Sequence, residues 1–377
     1  MKYIVTILVF SLIFIVGCSS AEEKETSRHV SAEGGPLAEE KGAPSPEGKE
    51  AKGTEAEELP DPEPEPSSMT LTFTGDVLFA MSLEQTVAEK GHAYPFQHVS
   101  DYFLSDDFTF INLETAVTER GTKEDKLYNF RTRPEAMSTM KQIGVDGVAL
   151  ANNHTLDYGI DGLVDTLHFA EEAGLETIGA GRTENEAYQA FETEIQGKRV
   201  AFLNFSKVLP FIEWYAVGER PGAASGYQME RVINIIQATK EKNDYVFVQI
   251  HWGNEKEIQF NESEQLYAHA MIDAGADGII GSHPHVLQGF EMYKGKLIAY
   301  SLGNFLFPDY VAGETAQTGI LQVEIDENEA ATYSFHPHFI EDDLIKPHPD
   351  RNSLARALEQ RSAPGITIND SFEITGE

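Results

Sequence analysis

The sequence predicts an α/β protein with mixed sheets, folded as a single large domain. From residue 69 onward, apolar strand-like segments alternate with amphipathic helical segments, which is typical of this fold class. Two strand pairs are joined by tight Gln-Gly and Lys-Gly turns, so the sheets are expected to be mixed rather than purely parallel. Hydrophobic residues form 41% of the chain and aromatic residues 10%, which is enough for a substantial core.

The individual elements follow from periodicity and from the residues that begin or end each segment. The predicted strands are 69–74, 108–113, 145–150, 191–195, 198–205, 245–250, 277–281, 290–293, 297–301, 319–325 and 332–339. The predicted helices are 134–143, 160–173, 228–242 and 262–274. Pro134 suits the first turn of its helix, and Gly174 suits the position after the end of the next one. We therefore expect a domain over residues 69–340, followed by a weakly periodic C-terminal extension, 341–377.

Residues 1–18 have the pattern of a secretory signal. A basic residue at Lys2 precedes an apolar run over 4–16 that is too short to span a membrane comfortably as a permanent helix. The Ile-Val-Gly-Cys tetrad at 15–18 resembles a bacterial lipobox, which implies that Cys18 is lipidated and becomes the mature N-terminus. The chain would then be anchored on the extracytoplasmic face of a bacterial cell membrane. The alternative is a plain signal peptide or short anchor that happens to contain Cys18.

Residues 19–68 are expected to form a disordered, acidic tether. They are rich in Pro and Glu, and they hold 14 acidic residues, 5 basic residues and almost no large apolar side chains. Such a segment cannot bury enough surface to offset the entropy of ordering. Its Pro-rich end should be fairly stiff and should hold the folded domain away from the membrane.

The charge and cysteine content exclude several functional classes. The chain has 62 acidic and 28 basic residues, a net charge of −34, whereas nucleic-acid binding needs clustered Lys and Arg. An anionic membrane surface would also repel it. The single cysteine excludes an internal disulfide and a Cys-rich zinc site.

Polar side chains suited to metal binding follow several of the predicted strands. They are Asp76, Glu114, Asn153, His154, His251, His283 and His285. Strand ends are where α/β folds present their sites, so these residues are expected to converge on one rim. Each also has an ordinary explanation, since a strand-end Asp often forms a turn and a lone His is usually a surface or satisfied core residue. Their joint occurrence favours a site for Mn²⁺, Fe or Zn²⁺, because Mg²⁺ and Ca²⁺ sites rarely use His.

The motifs around these residues resemble those of the capsule protein CapA family, the poly-γ-glutamate synthesis proteins also called PgsA. The likeness covers roughly residues 69–310. The motifs are Gly75-Asp76-Val77, Asn112-Leu113-Glu114, Ala151-Asn152-Asn153-His154, His251-Trp252-Gly253, Gly281-Ser282-His283-Pro284-His285-Val286 and Ser301-Leu302-Gly303-Asn304-Phe305. That family is similar to the calcineurin-like metallophosphoesterases, which implies a four-layer α/β/β/α sandwich around a two-metal centre.

The resemblance also implies a role for each ligand. Asp76 and His285 would bind a first metal, and Glu114 would bridge two metals. The second metal would be completed by three further side chains, Asn153, His251 and His283. His154 would stay unligated and serve as the general acid. Asn304 would orient a ligand from outside the metal shell, although a turn-forming role beside Gly303 is an equally simple explanation.

The sequence departs from the superfamily pattern at three positions. Leu78 stands where an imidazole ligand is usual, Glu114 replaces an aspartate, and Asn152 replaces a glycine. We therefore expect one tight and one weak metal site. Arg131 is a candidate for binding a phosphate or carboxylate of the substrate, and a surface ion pair is its alternative.

The resemblance implies a surface-anchored component of poly-γ-glutamate synthesis, assembly or export. Its partners would be the anionic capsule polymer and membrane synthase or export subunits. Two alternatives stay open, a secreted metal-dependent phosphoesterase and a non-catalytic scaffold for the synthase subunits. If the site is catalytic, the resemblance implies a metal-dependent hydrolase of the metallophosphoesterase type.

Overall fold

A computed structural model describes residues 68–308 and 310–376 of the chain, which fall within one compact unit, Pro62–Glu377. The signal sequence with Cys18 and residues 19–67 of the expected tether lie outside the described residues. Within 68–308 and 310–376, no helix has the length and apolar character needed to cross a membrane.

The secondary structure alternates between strands and helices along most of the chain. The strands are β1 (Met69–Val77), β2 (Phe108–Leu113), β3 (Ala116–Val117), β4 (Arg131–Thr132), β5 (Gly147–Ala149), β6 (Glu176–Ile178), β7 (Ala180–Gly181), β8 (Phe191–Ile195), β9 (Lys198–Ser206), β10 (Gly222–Ala223), β11 (Tyr245–His251), β12 (Gly278–Ser282), β13 (Phe290–Tyr293), β14 (Lys296–Ala299), β15 (Asn304–Leu306), β16 (Gln317–Ile325), β17 (Ala331–Glu341), β18 (Leu344–Pro347), β19 (Thr367–Ile368) and β20 (Glu373–Thr375). The helices are α1 (Ser82–Lys90), α2 (Ser100–Leu104), α3 (Glu135–Gln142), α4 (Gly159–Ala173), α5 (Glu184–Tyr188), α6 (Met229–Lys240), α7 (Glu262–Asp273) and α8 (Arg351–Arg361).

Two large sheets organise the fold, and both are mixed. The first contains ten strands in the order β19-β20-β17-β16-β1-β2-β5-β6, with β15 beside β1 and β18 beside β17. Its strand β1 is parallel to β2 and antiparallel to β16. The second sheet has the order β13-β14-β12-β11-β9-β8, with a parallel centre and an antiparallel hairpin at each edge. These hairpins are the two that the Gln-Gly and Lys-Gly turns predict.

Aromatic side chains fill the space between the two sheets. Phe73 on β1 lies 5.7 Å, between ring centroids, from Phe247 on β11, and Phe110 on β2 lies 4.8 Å from Phe202 on β9. All four rings are buried in one continuous core. Burial of rings of this size is the main stabilising contribution that large aromatic residues make to a core.

Helices cover the outer face of each sheet. Helices α1 to α4 pack on the first sheet through one apolar cluster, and α6 and α7 pack on the second through another. Strand β11 shows why this is needed, because Val246 and Val248 face the helices while Phe247 faces the other sheet. The layers are therefore α/β/β/α, and the predicted α/β sandwich with mixed sheets is confirmed.

The segment after residue 340 packs into the same core as the rest of the unit. Strand β18 pairs with β17, β20 also pairs with β17, and β19 pairs with β20. Helix α8 begins at the capping residue Asp350, and its Leu354 and Leu358 join the core between the sheets. The low hydrophobicity of α8 and the shortness of β19 and β20 hide these elements from a periodicity search.

Candidate metal centre

All the candidate ligands lie at the carboxyl ends of strands in the two sheets. They are Asp76 near the end of β1, Glu114 directly after β2, Asn153 and His154 after β5, His251 at the end of β11, and His283 and His285 after β12. Strands β1 and β12 pack against each other, so the ends of the two sheets meet at one place. The convergence expected from the strand-end positions is present in the structure.

Gly75 allows a close approach that brings Asn304 into the centre. A side chain at Gly75 would collide with the carbonyl group of Gly303, and the Asp76 amide donates to that same carbonyl at 2.9 Å. Gly303 has a φ of 64°, which favours glycine. As a result, Asn304 pairs with Asp76 across the strands, and its Oδ1 lies 2.9 Å from Nδ1 of His285.

The first group of possible ligands contains Asp76, Glu114 and His285, whose ligand atoms lie within 4.8 Å of one another. Nδ1 of His285 is 3.3 Å from Oδ2 of Asp76, and its Nε2 is 4.0 Å from Oε1 of Glu114. Asn112 donates from Nδ2 to Oδ1 of Asp76 at 2.7 Å. That bond fixes the carboxylate and leaves its second oxygen directed at His285.

The second group contains Glu114, His251 and His283, again with ligand atoms within 4.8 Å of one another. Nε2 of His251 lies 3.6 Å from Oε1 of Glu114 and 2.7 Å from Oδ1 of Asn153. The opposite ring nitrogen, Nδ1, lies 2.9 Å from the hydroxyl of Ser282, which orients the ring with Nε2 towards the centre. Glu114 is thus the one side chain common to both groups.

Unpartnered buried atoms show that this arrangement fits a bound cation. Both carboxylate oxygens of Glu114 and Nδ1 of His283 are buried without a hydrogen-bond partner. Buried polar atoms are normally paired, and orphans of this kind need an explanation. His283 and His285 also have φ values of 99° and 57°, a backbone conformation that costs energy in a non-glycine residue. Imidazole and carboxylate groups held in this way are the ligands that divalent transition metals prefer.

The pKa values in the centre point to an unbalanced charge. Burial and the neighbouring Asp76 raise the pKa of Glu114 well above its usual range. Burial lowers the pKa of His283 to about 4 and lowers that of His251 strongly. Burial also opposes protonation of His285, but Glu114 and Asp76 outweigh it and raise the pKa to about 9. A divalent cation would balance the two carboxylates directly and leave the imidazoles neutral, as ligands must be.

His154 belongs to a hydrogen-bonded set beside the two ligand groups. Its Nδ1 lies 2.7 Å from Oδ2 of Asp157 and 3.3 Å from Nζ of Lys126. Because a carboxylate only accepts, Nδ1 donates to Asp157. The other nitrogen, Nε2, lies 4.0 Å from Oε1 of Glu114 and faces the centre. Burial lowers the pKa of His154, although Asp157 partly offsets the effect.

An apolar wall stands at Leu78, the position where the sequence resemblance led us to expect a further imidazole. Leu78 is fully buried in a cluster with Phe130 and Phe307. Phe130 lies 4.6 Å from the His154 ring and Phe307 lies 5.0 Å from the His285 ring, between centroids. The side of the centre that holds the first group is therefore lined by hydrocarbon and aromatic surface.

The structure places Arg131 away from the predicted ligands. Its guanidinium lies over the Tyr158 ring, 4.7 Å from the centroid. It lines a cleft of about 640 Å³ together with His92 and Arg133, and that lining contains none of the candidate metal ligands. Arg131 is exposed on strand β4, so proximity to the centre does not support the proposed role in binding a substrate anion there.

Sequence reasoning missed the cation that does adjoin the centre. Lys126 lies 2.5 Å from Oδ1 of Asp157 and donates to the backbone carbonyl of Asn153 at 2.5 Å. It is mostly buried, and burial lowers its pKa despite Asp157. Asp157 stands three residues after His154, a spacing that the sequence displays. Lys126 lies in an irregular segment, and no sequence signal links it to the site.

Fold and site together define a class. This is a four-layer α/β protein with two adjoining carboxylate–imidazole ligand groups at the carboxyl ends of its strands, joined through one shared glutamate. Proteins of this class suit divalent-metal chemistry.

Comparison with known proteins assigns the family. Residues 70–309 match the family described as bacterial capsule synthesis protein PGA_cap, and the chain belongs to it. The capsule biosynthesis protein CapA of Bacillus anthracis is 33% identical over 79% of this chain and 74% of its own length. The PGA biosynthesis protein CapA of Bacillus subtilis (strain 168) is 32% identical over 71% of each chain. A probable polyglutamine synthesis accessory protein of Mycobacterium tuberculosis is 31% identical over 52% of this chain and 55% of its own.

Among solved structures, the NAD nucleotidase NadN of Haemophilus influenzae is 11% identical to this chain, with a TM-score of 0.41. The alignment covers 79% of this chain and 57% of that one. At that level the match carries no functional inference.

Proposed function

We propose that this protein acts in the synthesis, assembly or export of a poly-γ-glutamate capsule, and that its metal centre is the working site. Membership of the PGA_cap family supports the pathway, as do the capsule and PGA biosynthesis names of the two Bacillus relatives. The observation that carries the assignment of the site is Glu114. It is fully buried, shared by both ligand groups, and unpartnered at both oxygens.

The centre would hold a divalent transition metal, Mn²⁺, Fe or Zn²⁺. Asp76, Glu114 and His285 would hold a weakly bound ion. A tighter ion would use Glu114 with three further ligands, namely Asn153, His251 and His283. When bound, such ions supply positive charge that polarises a substrate oxygen. The expected difference in affinity between the two ions rests on the number of ligands, because Leu78 has no atom that can bind a metal.

The remaining side chains would orient groups and handle a proton. With Nδ1 donating to Asp157, the neutral His154 ring presents an unprotonated Nε2 to the space beside Glu114, where it would take up a proton and return it to a substrate oxygen. Asp157 fixes the ring by accepting from Nδ1, and Lys126 holds both Asp157 and the Asn153 carbonyl in place. Asn304 fixes the His285 ring from outside the ligand set. This arrangement suits the general-acid role proposed for His154.

Charge limits how an anionic polymer would reach this site. A protein of net charge −34 repels a polyanion, although salt screens that repulsion beyond about 10 Å. Contact therefore needs local positive charge, which bound metal and Lys126 would provide. We place the protein on the extracytoplasmic face of the membrane, held by lipid on Cys18 and spaced by the 19–68 tether, beside membrane synthase or export subunits.

The test uses a capsule-forming bacterium that lacks its own copy of the protein. The full-length chain should restore polymer on the cell surface, and a His283→Ala, His285→Ala double variant at equal abundance should not. Metal analysis of the purified proteins should show metal in the first and loss of metal in the second. A double variant that restores the capsule and still co-purifies with synthase subunits would instead favour the scaffold. Rapid turnover of phosphodiesters with Mn²⁺, without any effect on the capsule, would favour the phosphoesterase.

A further inference from the structure

Two short aromatic stacks lead from the metal centre to the surface. In the first, Phe130 lies against His154, and Tyr128 stacks on Phe130 with ring centroids 6.2 Å apart and planes at 14°. In the second, Phe307 lies against His285, and Tyr310 meets Phe307 edge-on at 6.2 Å. Each stack therefore has a buried phenylalanine inside and a tyrosine outside.

The histidines at the inner ends of both stacks face the same carboxylate, that of Glu114. Nε2 of His154 and Nε2 of His285 each lie 4.0 Å from Oε1 of Glu114. The two tyrosines belong to different chain segments, yet each stands one phenylalanine ring beyond a histidine that faces Glu114. Tyr128 and Tyr310 thus flank the mouth of one site.

The outer ends of the stacks are exposed although they are apolar. Tyr128 is 56% exposed and Tyr310 is 59% exposed, and Leu127 beside Tyr128 is 85% exposed. Aromatic rings exposed at the mouth of a buried polar site are typical of ligand contact, because a ring offers large area with few torsions to restrict.

We propose that Tyr128 and Tyr310 bind a chain of γ-glutamyl units from two sides where the chain crosses the metal centre. This inference rests on the proposed function and names residues that select its ligand. Each γ-glutamyl unit carries two methylene groups, an amide and a carboxylate. The ring faces cover the methylene groups, and the phenol hydroxyls donate to amide or carboxylate oxygens. Neutral rings add contact without another charged group to desolvate.

The test measures binding of a synthetic γ-linked decaglutamate to the full-length protein in detergent, by calorimetry. The variants are Tyr128→Ala, Tyr310→Ala, their combination, and the two Tyr→Phe changes. Tyr227→Ala is the matched control, since Tyr227 is 52% exposed and its ring partner is Tyr215, 6.2 Å away between centroids, rather than a member of either stack. We expect about a tenfold loss of affinity for each alanine variant and a larger loss for the pair. The phenylalanine variants should keep most of the affinity, and metal content should not change.

Two outcomes would overturn the proposal. One is a double alanine variant that binds the decamer as tightly as the wild type. The other is a wild-type protein that does not bind the decamer although it restores the capsule. In that case the proposed function stands, and the binding role of the two tyrosines is wrong. If the first outcome is accompanied by loss of the capsule, the two tyrosines form a protein-contact surface instead.

Discussion

Replacing Glu114 with glutamine isolates the side chain that both ligand groups share. The change keeps the size of the side chain and removes its charge. Because both oxygens of Glu114 are buried and unpartnered, the carboxylate destabilises the metal-free protein and stabilises the metal-bound one. We therefore expect Glu114→Gln to change the two states in opposite directions.

The expected magnitudes follow from burial and from mass action. A buried polar group without partners costs about 1–3 kcal/mol, part of which an amide recovers by donating to Asp76. A cation at about 1,000 times its Kd stabilises the folded state by about 4 kcal/mol. For a domain of roughly 300 residues this raises the Tm by about 6 °C. Without the shared carboxylate the rise should fall below about 2 °C, while the metal-free Tm should increase by about 1–3 °C.

The assay is thermal unfolding at pH 7.5, first with EDTA and then with Mn²⁺ or Zn²⁺ added in steps. Glu264→Gln is the matched control, because Glu264 is also buried and has a pKa raised by burial, yet it caps helix α7 outside both ligand groups. The control should keep the wild-type response to metal. A Glu114→Gln protein whose Tm rises with metal as much as that of the wild type would refute the shared-ligand argument.

Four further predictions concern the weaker metal site, the proposed general acid, the lipid anchor and a buried carboxylate outside the site. Leu78→His should increase occupancy of the weaker metal site, measured as metal per chain by mass spectrometry, and two equally tight ions in the wild type would contradict the inequality. His154→Ala should keep its metal while any hydrolysis falls by about 10²–10⁴-fold, and loss of metal would make His154 a ligand instead. Mass spectrometry of the mature protein should find lipid on Cys18, and an unmodified or absent cysteine would contradict the lipid anchor. Burial raises the pKa of Asp106 to about 7, so the folded state binds a proton that the unfolded state releases, and stability falls as pH rises from about 4 to 7. Asp106→Asn should remove that fall and raise the free energy of unfolding by about 1–3 kcal/mol at pH 8. Stability curves against pH that run parallel for the variant and the wild type would contradict this role of Asp106.

The sequence predicts where the candidate ligands lie because strand ends fix their positions. Strand 108–113 is predicted with its observed bounds, and Glu114 follows directly. A buried strand leaves little freedom for the residue after it, so its side chain enters the rim common to all neighbouring strands. Likewise, His251 is the last residue of β11, where a run of apolar residues ends. Local pattern is sufficient where a regular element sets the direction of the side chain.

The pattern fails where an irregular segment sets that direction. Arg131 and Lys126 lie five residues apart, and nothing in the sequence distinguishes the one that turns towards the centre. The structure does so through Asn129, whose side chain donates to the carbonyls of Glu124 and Lys126 and folds the segment back on itself. The segment is also held by contacts between residues distant in the sequence, such as the Phe130 amide donating to Asp157, which no local pattern displays. Cations in loops are therefore the part of a site that sequence periodicity cannot place.

The packing around Leu78 also bears on why the proposed centre would be asymmetric rather than merely incomplete. Leu78 is packed with Phe130 and Phe307, the same rings that contact His154 and His285. A ligand lost to solvent would leave a polar gap that water could fill. Here apolar surface replaces it, which lowers the local polarity beside Asp76 and strengthens the attraction between the carboxylates and any bound cation. The first ion would thus have fewer ligands but would keep its attraction to Asp76 and Glu114, so we expect a weakly held, exchangeable ion rather than an absent one.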